Sequence, residues 1–335
     1  MQEFGVILFC ITLCSFILSL LLTPVTIKIS ARFNILKPAK SEHGKPCIGG
    51  ISIYIAFLAA VLFSLFFIKL PAIKLSGVIL SSFIILLLGL IDDIKDLRPL
   101  LKIAGELLGI FLLIFFGFFT KIVFIPGWIN IFITVIWLLF ITNAFNLLDI
   151  MDGLTSGLVI IISSSLLVIA FINKDIFSCV ILTALIGAHT GFLRYNYPPA
   201  RVYMGDTGSL FSGFLLAIIA INISYAPMER KIALLTPILA MSLPIYDTLF
   251  LIVMRIKKKK PIFNKTGDHF ALRLIAMGCS IKKSIWIMYF FSMFLAFSVI
   301  TVAFSKNLIS LIVFAVVGLV FILMGKRIGM VNIDE

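Results

Sequence analysis

Between Asn143 and Gly153 the chain reads N-A-F-N-L-L-D-I-M-D-G, setting two amides and two carboxylates where a long apolar run ends. On a regular helix, residues three apart turn back by about 60°. Asn143, Asn146, Asp149 and Asp152 would therefore sweep half the circumference and share no face. The spacing predicts a helix that ends near Leu148, with the amides on its last turns and the carboxylates on the loop beyond. Two other acidic sets follow or precede apolar runs. Asp92, Asp93 and Asp96 stand in D-D-I-K-D after a run ending at Ile91, and adjacent carboxylates repel, which raises one pKa unless a cation lies between them. Asp206 stands in M-G-D-T-G-S, with Ser209 placed to begin the next helix. There Gly205 and Gly208 permit close backbone approach, and a helix N-terminus favours a phosphate. Acidic residues on three helix ends suit Mg²⁺, which takes one or two carboxylates and completes its shell with water and phosphate oxygens.

Other polar residues divide by their company. Asp268, His269 and Arg273 lie in K-T-G-D-H-F-A-L-R-L, and Arg with His suits a pyrophosphate or a leaving phosphate. Glu106 and Asp247 fall inside apolar runs, where ionisable groups are costly and face the bundle interior; both are read as supporting structure. His189 is expected to be a packed histidine or one that makes an interhelical hydrogen bond, and His43 lacks the company of Asp268, His269 and Arg273. Asp96, flanked by Lys95 and Arg98, reads as a solvated charge.

The elements that must position these residues are membrane helices. Of 335 residues, 61% are hydrophobic and 13% charged, and the mean hydropathy is +1.20. Soluble domains carry roughly a quarter charged residues, so the chain is an all-α polytopic membrane protein with no soluble domain left over. Eleven apolar runs have spanning length: Phe4 to Ile27, Gly49 to Ile68, Leu75 to Ile91, Ile103 to Phe119, Trp128 to Leu148, Leu154 to Ile172, Phe177 to Leu193, Leu210 to Tyr225, Ile232 to Val253, Trp286 to Phe304 and Leu308 to Met324. The first lacks a basic flank and a cleavage site and reads as a retained span. Residues 1–335 form a single membrane domain in this reading.

Charge sets the orientation. One face collects 21 of the 28 lysines and arginines, so by the positive-inside rule the N-terminus is outside and the C-terminus cytoplasmic. The net charge of +13 thus reflects topology and excludes a nucleic-acid footprint. The tetralysine Lys257 to Lys260 reads as an anchor to anionic lipid, and Trp128 and Trp286 as members of aromatic belts. Five cysteines without metal-like spacing are expected to be free thiols.

Taken together, these motifs resemble the polyprenyl-phosphate N-acetylhexosamine-1-phosphate transferases. The resemblance rests on Gly49-Gly50 opening the second run, Asp92-Asp93 after the third, N-A-F-N-L-L-D-I-M-D-G after the fifth, N-Y-P-P-A-R-V-Y-M-G-D-T-G-S before the eighth, and P-I-Y-D at Pro244 to Asp247. It implies a multi-pass enzyme of the inner membrane with its site on the cytoplasmic face. Such an enzyme transfers a sugar 1-phosphate from a UDP-sugar to polyprenyl phosphate and releases UMP. The implied cofactor is Mg²⁺, with Mn²⁺ as the alternative ion, held by Asp149 and Asp206. Asp92 or Asp93 would deprotonate or orient the acceptor phosphate. Asn143, Asn146, Asp152, Asn196 and Lys45 would hold the nucleotide or the carboxylates, with His269 and Arg273 near the donor phosphates. A homodimer is left open.

Two departures from the family pattern bear on the donor. Many relatives carry H-x-H-H where this chain has His269-Phe270-Ala271-Leu272, which argues against a muramoyl-pentapeptide donor. Ile150 replaces a common glycine. Two competing readings remain: an intramembrane prenyltransferase, because Asp92-Asp93-x-x-Asp96 fits D-D-x-x-D, and a transporter with buried carboxylates.

Overall fold

In the computed structural model of the protein, residues 2–33, 46–223, 225, 231–257, 259 and 269–331 are described. Lys45, His43, Asp268, Lys258 and Lys260 lie outside them. The described residues form helices without a strand and fall into two compact units, Met1–Ser224 and Tyr225–Glu335. The first holds α1 (Gln2–Phe33), α2 (Gly49–Ser64), α3 (Ala72–Lys95), α4 (Pro99–Phe115), α5 (Gly127–Leu148), α6 (Leu154–Ile172), α7 (Ile176–Asn196) and α8 (Gly205–Asn222). The second holds a 3₁₀ turn (Lys231–Leu235), α9 (Thr236–Ala240), α10 (Ser242–Lys257), α11 (Phe270–Ala276), α12 (Ile281–Phe304) and α13 (Asn307–Gly329).

Every apolar run is helical, but among the described residues only eight helices are long and apolar enough to cross a membrane, or nine if a bent pair counts as one. α2 and α4, with 16 and 17 residues, fall short of the usual spanning length. The ninth run is not one straight span. Ile232–Ala240 and Ser242–Lys257 meet at 70°, because Pro244 has no N–H for the carbonyl of Ala240 and its ring crowds that oxygen.

In the first unit α8 is central, packed on α2, α3, α5, α6 and α7. Its spanning window is 78% buried, against 22% for α1, which leaves most of α1 to lipid. Lipid provides no hydrophobic drive between helices, so close packing of small residues and interhelical hydrogen bonds must hold them. Gly50 of α2 crosses the backbone of α8 at Thr207 and Gly208, where no Cβ fits. The amides of Gly49 and Gly50 bond the carbonyls of Tyr203 and Met204 at 3.0 and 2.9 Å. Deeper in the bundle, His189 Nε2 of α7 meets Ser212 Oγ of α8 at 3.0 Å, the interhelical bond its position suggested. Trp137 of α5 donates to the carbonyl of Ala217 at 3.1 Å.

The second unit has its own polar core. Asp247 of α10 accepts from His269 Nδ1 and from the amide of Phe270, each at 2.8 Å. Arg273 of α11 is fully buried, donates to the carbonyls of Ile328 and Val331 and stacks on Phe250. These bonds tie α10, α11 and the end of α13 into one body.

The crossing at Gly50 makes a prediction. Gly50→Ala sets a methyl against the α8 backbone and should cost roughly 1–3 kcal/mol, read as a lower melting temperature in detergent. Gly318→Ala on α13, where nothing lies within 4 Å, should leave melting unchanged or slightly raised.

Candidate functional site

The site grows from the meeting of α3 and α8. α3 runs through Lys95, so Asp92 and Asp93 lie on its last turns and not on a loop after Ile91. A carboxylate near the C-terminus of its own helix is disfavoured by the helix dipole. Asp93 escapes this by reaching the start of another helix: its carboxylate accepts from the amides of Asp206 and Thr207, both at 2.9 Å, and from Thr207 Oγ1 at 2.6 Å. The N-terminus of α8, expected from sequence to face a phosphate, is thus capped from within the protein. Capping from outside also explains why α8 begins at Gly205, four residues before Ser209. Gly205 has φ +72, and a side chain there would strike Cys47 O and the Asp93 carboxylate.

Asp92 turns elsewhere. It is buried, with Oδ1 accepting from the amide of Leu97 at 2.8 Å and Oδ2 from Lys102 Nζ at 3.1 Å. Lys102, near the start of α4, also donates to Asn146 Oδ1 at 2.9 Å and Asp206 Oδ2 at 3.4 Å. Asn146 in turn donates to Asp206 Oδ1 at 2.8 Å and to Ser209 Oγ at 3.0 Å. Oxygens from α3, α5 and α8 therefore surround one ammonium. One turn along α4, Glu106 is fully buried and takes a bond from Asn143, its other oxygen having no partner. Asp96, by contrast, is exposed at the C-cap of α3, so the three acids of D-D-x-x-D do not act together.

α5 ends at Leu148, and Asp149 is its C-cap. Burial, and then the charges of Asp206, Asp93 and Asp152, push its carboxyl up to about 7. A cation beside it would hold it ionised. Asp152 and Asn196 serve as fasteners. Asp152 accepts from the amide of Ala200 at 2.8 Å, while Asn196 accepts from the amide of Gly153 at 3.0 Å and donates to the carbonyl of Val202 at 2.9 Å. Three bonds thus fix the loop after α5 to the loop before α8.

The structure therefore brings Asp92, Asp93, Asn143, Asn146, Asp149, Asp152, Asn196 and Asp206 into one unit. His269 and Arg273 belong to the second unit, where their bonds are to Asp247 and the end of α13. Arg273 is fully buried there. In the sequence Lys102 is only one of the 21 basic residues that set the orientation, and Glu106 stands by itself. Their spacing of four, which puts both on one face of α4, was the available signal.

Can these residues hold a divalent ion? Among the described residues, no three His, Cys, Asp or Glu side chains are placed to hold one together. Mg²⁺ does not need three, since phosphate and water complete its shell. The donor set is oxygen-rich, and Asp92, Asn146 and Asp206 already surround a cationic group, the Lys102 ammonium. Asp149 and Asp206, near enough for their charges to interact, offer the one or two carboxylates that such an ion takes from a protein.

The sequence pattern of Glycosyl transferase family 4 matches residues 75–224, which contain this cluster. A probable undecaprenyl-phosphate N-acetylglucosaminyl 1-phosphate transferase of Bacillus subtilis is 30% identical over 334 residues, 95% of this chain and 92% of the relative. The chain belongs to glycosyl transferase family 4. A decaprenyl-phosphate N-acetylglucosaminephosphotransferase of Mycobacterium leprae is 28% identical over 75% of the chain and 72% of its own length. A Listeria monocytogenes phospho-N-acetylmuramoyl-pentapeptide-transferase is 42% identical, but over only 31% of the chain and 32% of its own length. This is the family that the motifs resemble, and with several apolar helices it makes the chain a multi-pass membrane enzyme.

The loop clamp can be tested. Asn196→Ala leaves a buried N–H and a buried C=O without partners, each costing roughly 1–3 kcal/mol. Hydrogen exchange should rise at residues 149–153 and 197–204 ahead of the rest of the unit.

Proposed function

We propose that the protein transfers an N-acetylhexosamine 1-phosphate from a UDP-sugar to polyprenyl phosphate at the cytoplasmic face of the inner membrane, beginning a lipid-linked envelope glycan. The observation that carries this reading is the Lys102 cluster, where carboxylates, an amide and an ammonium from four helices meet at the end of a membrane bundle. An acceptor with its tail in lipid and its phosphate at headgroup level would meet a soluble nucleotide sugar there. The relatives named above support the reaction class, and the first two act on N-acetylglucosaminyl donors by name. The absence of the extra histidines after His269 agrees with a donor other than the muramoyl pentapeptide.

Phosphoryl transfer needs positioning and charge neutralisation more than covalent help. The bond formed joins an acceptor phosphate oxygen to the sugar-bearing phosphorus of the donor, and the bond broken releases UMP. Lys102 neutralises charge on the phosphates as they approach. Asp92, whose Oδ2 faces Lys102, orients the acceptor phosphate or takes its proton; Asp93 is committed to capping α8. Asn146 holds the Asp206 carboxylate in place, and Asn143 does the same for Glu106. Asp149 and Asp206 would hold Mg²⁺, which supplies Lewis-acid neutralisation of the donor diphosphate when bound.

The test is UMP release by the purified protein with undecaprenyl phosphate, Mg²⁺ and a panel of UDP-sugars. No release with any donor would refute the reading. Asp206→Asn should lower turnover by about a hundredfold or more while the protein still folds, with some loss of melting temperature because the new amide N–H₂ must face a donor, Lys102 or Asn146. Asp93→Asn should instead lower melting, by roughly 1–2 kcal/mol, as the cap on α8 weakens. Lys102→Arg should not restore activity to the level of lysine, because a planar guanidinium cannot replace a compact ammonium among three oxygens.

A further inference from the structure

A cavity of about 690 Å³ lies between α1, α7 and the loop before α8, and none of the clustered carboxylates lines it. Phe16, Leu20 and Leu193 give it apolar walls, and Arg194, Tyr197 and Arg201 line it as well. Both arginines are exposed, and their guanidinium groups make no hydrogen bond or ion pair to a described residue. The wall itself is firmly built. Gly187 and Gly191 of α7 pack on the α1 backbone at Thr12 and Phe16, Ser15 Oγ donates to the carbonyl of Ala184 at 2.7 Å, and Tyr195 OH donates to that of Leu20 at 3.1 Å.

We propose that this cavity binds an anionic glycerophospholipid of the surrounding bilayer, with its phosphate on Arg194 and Arg201 and an acyl chain along Phe16 and Leu20. The volume lies within the range of small-molecule pockets. Basic pockets between membrane helices are suited to anionic headgroups, and arginine forks match phosphate geometry. The acceptor lipid is the less fitting occupant. α1 packs on α2 and α7, whereas α3, α4, α5 and α8 build the Lys102 cluster. None of the residues of the Lys102 cluster lines the cavity.

The test is native mass spectrometry of the full chain in detergent, titrated separately with dioleoylphosphatidylglycerol, dioleoylphosphatidylcholine, undecaprenyl phosphate and inorganic phosphate. Phosphatidylglycerol should bind at least about tenfold more tightly than phosphatidylcholine. Arg194→Ala with Arg201→Ala should remove that preference, and the double lysine variant should keep part of it. Thr190→Trp, at an exposed position on the cavity wall, should lower phosphatidylglycerol binding while both arginines remain. That variant reads the proposal even if the double alanine variant melts early. Equal binding of the two phospholipids, an unchanged preference in the double alanine variant, or displacement of phosphatidylglycerol by one undecaprenyl phosphate or by inorganic phosphate would overturn the proposal. So would a dimer mass that excludes lipid, which would assign the groove to a second copy.

Discussion

The first unit depends on one interaction, the carboxylate of Asp93 on the first amides of α8. It joins the end of one helix to the beginning of another, where their dipoles would otherwise leave orphan N–H groups and a misplaced negative charge. Its geometry demands close approach on every side. Gly205 must take a positive φ, Gly89 of α3 lies against Asp206 and Thr207, and Gly50 of α2 lies against Gly208. With α8 seated this way, Asp206 and Ser209 both face Asn146.

The acidic cluster would be unstable without its internal cation. Asp92 is buried and Asp206 partly so, and removing one member of a buried ion pair is more costly than never forming it. Lys102 meets both, and its stem lies along α4 while its ammonium reaches the carboxylates. The same arrangement presents a phosphate with a positive group held by oxygens already in place, so little reorganisation is needed on binding.

The membrane class, the helical runs, the end of α5 near Leu148 and the three acidic helix ends were legible in the sequence. Hydropathy and helical spacing are local properties, and these features follow from them. Roles that depend on contacts between distant segments were not legible. Nothing in D-D-I-K-D says that Asp93 caps a helix more than a hundred residues away, and nothing near Asn196 says that its amide bridges Gly153 and Val202. Lys102 was obscured because the positive-inside rule gives every boundary lysine an adequate reason to exist. Nor does a basic residue in a basic loop announce that Arg273 would bond the carbonyls of Ile328 and Val331. The bend at Met241 was foreseeable from Pro244, but a run of apolar residues conceals a break that costs no hydrophobicity.

The acidic and amide residues of the motifs therefore separate by how their hydrogen-bonding capacity is used. Asp93, Asp152 and Asn196 spend theirs on backbone amides and form a frame, and a carboxylate oxygen committed to an amide is poorly placed to ligate a metal. Asn146 Oδ1 and Asp206 Oδ2 face a cation, as does Asp92 Oδ2, while Asp92 Oδ1 takes the amide of Leu97. Under the proposed reading, the ligand set is consequently smaller than the motif suggests. With two carboxylates at most, a divalent ion would need donor phosphates to complete its shell. Ion and nucleotide sugar would then bind with positive coupling, each raising the affinity for the other by the same factor. A frame that leaves the ion incompletely held favours that coupling, because the metal is bound tightly only when the donor is present.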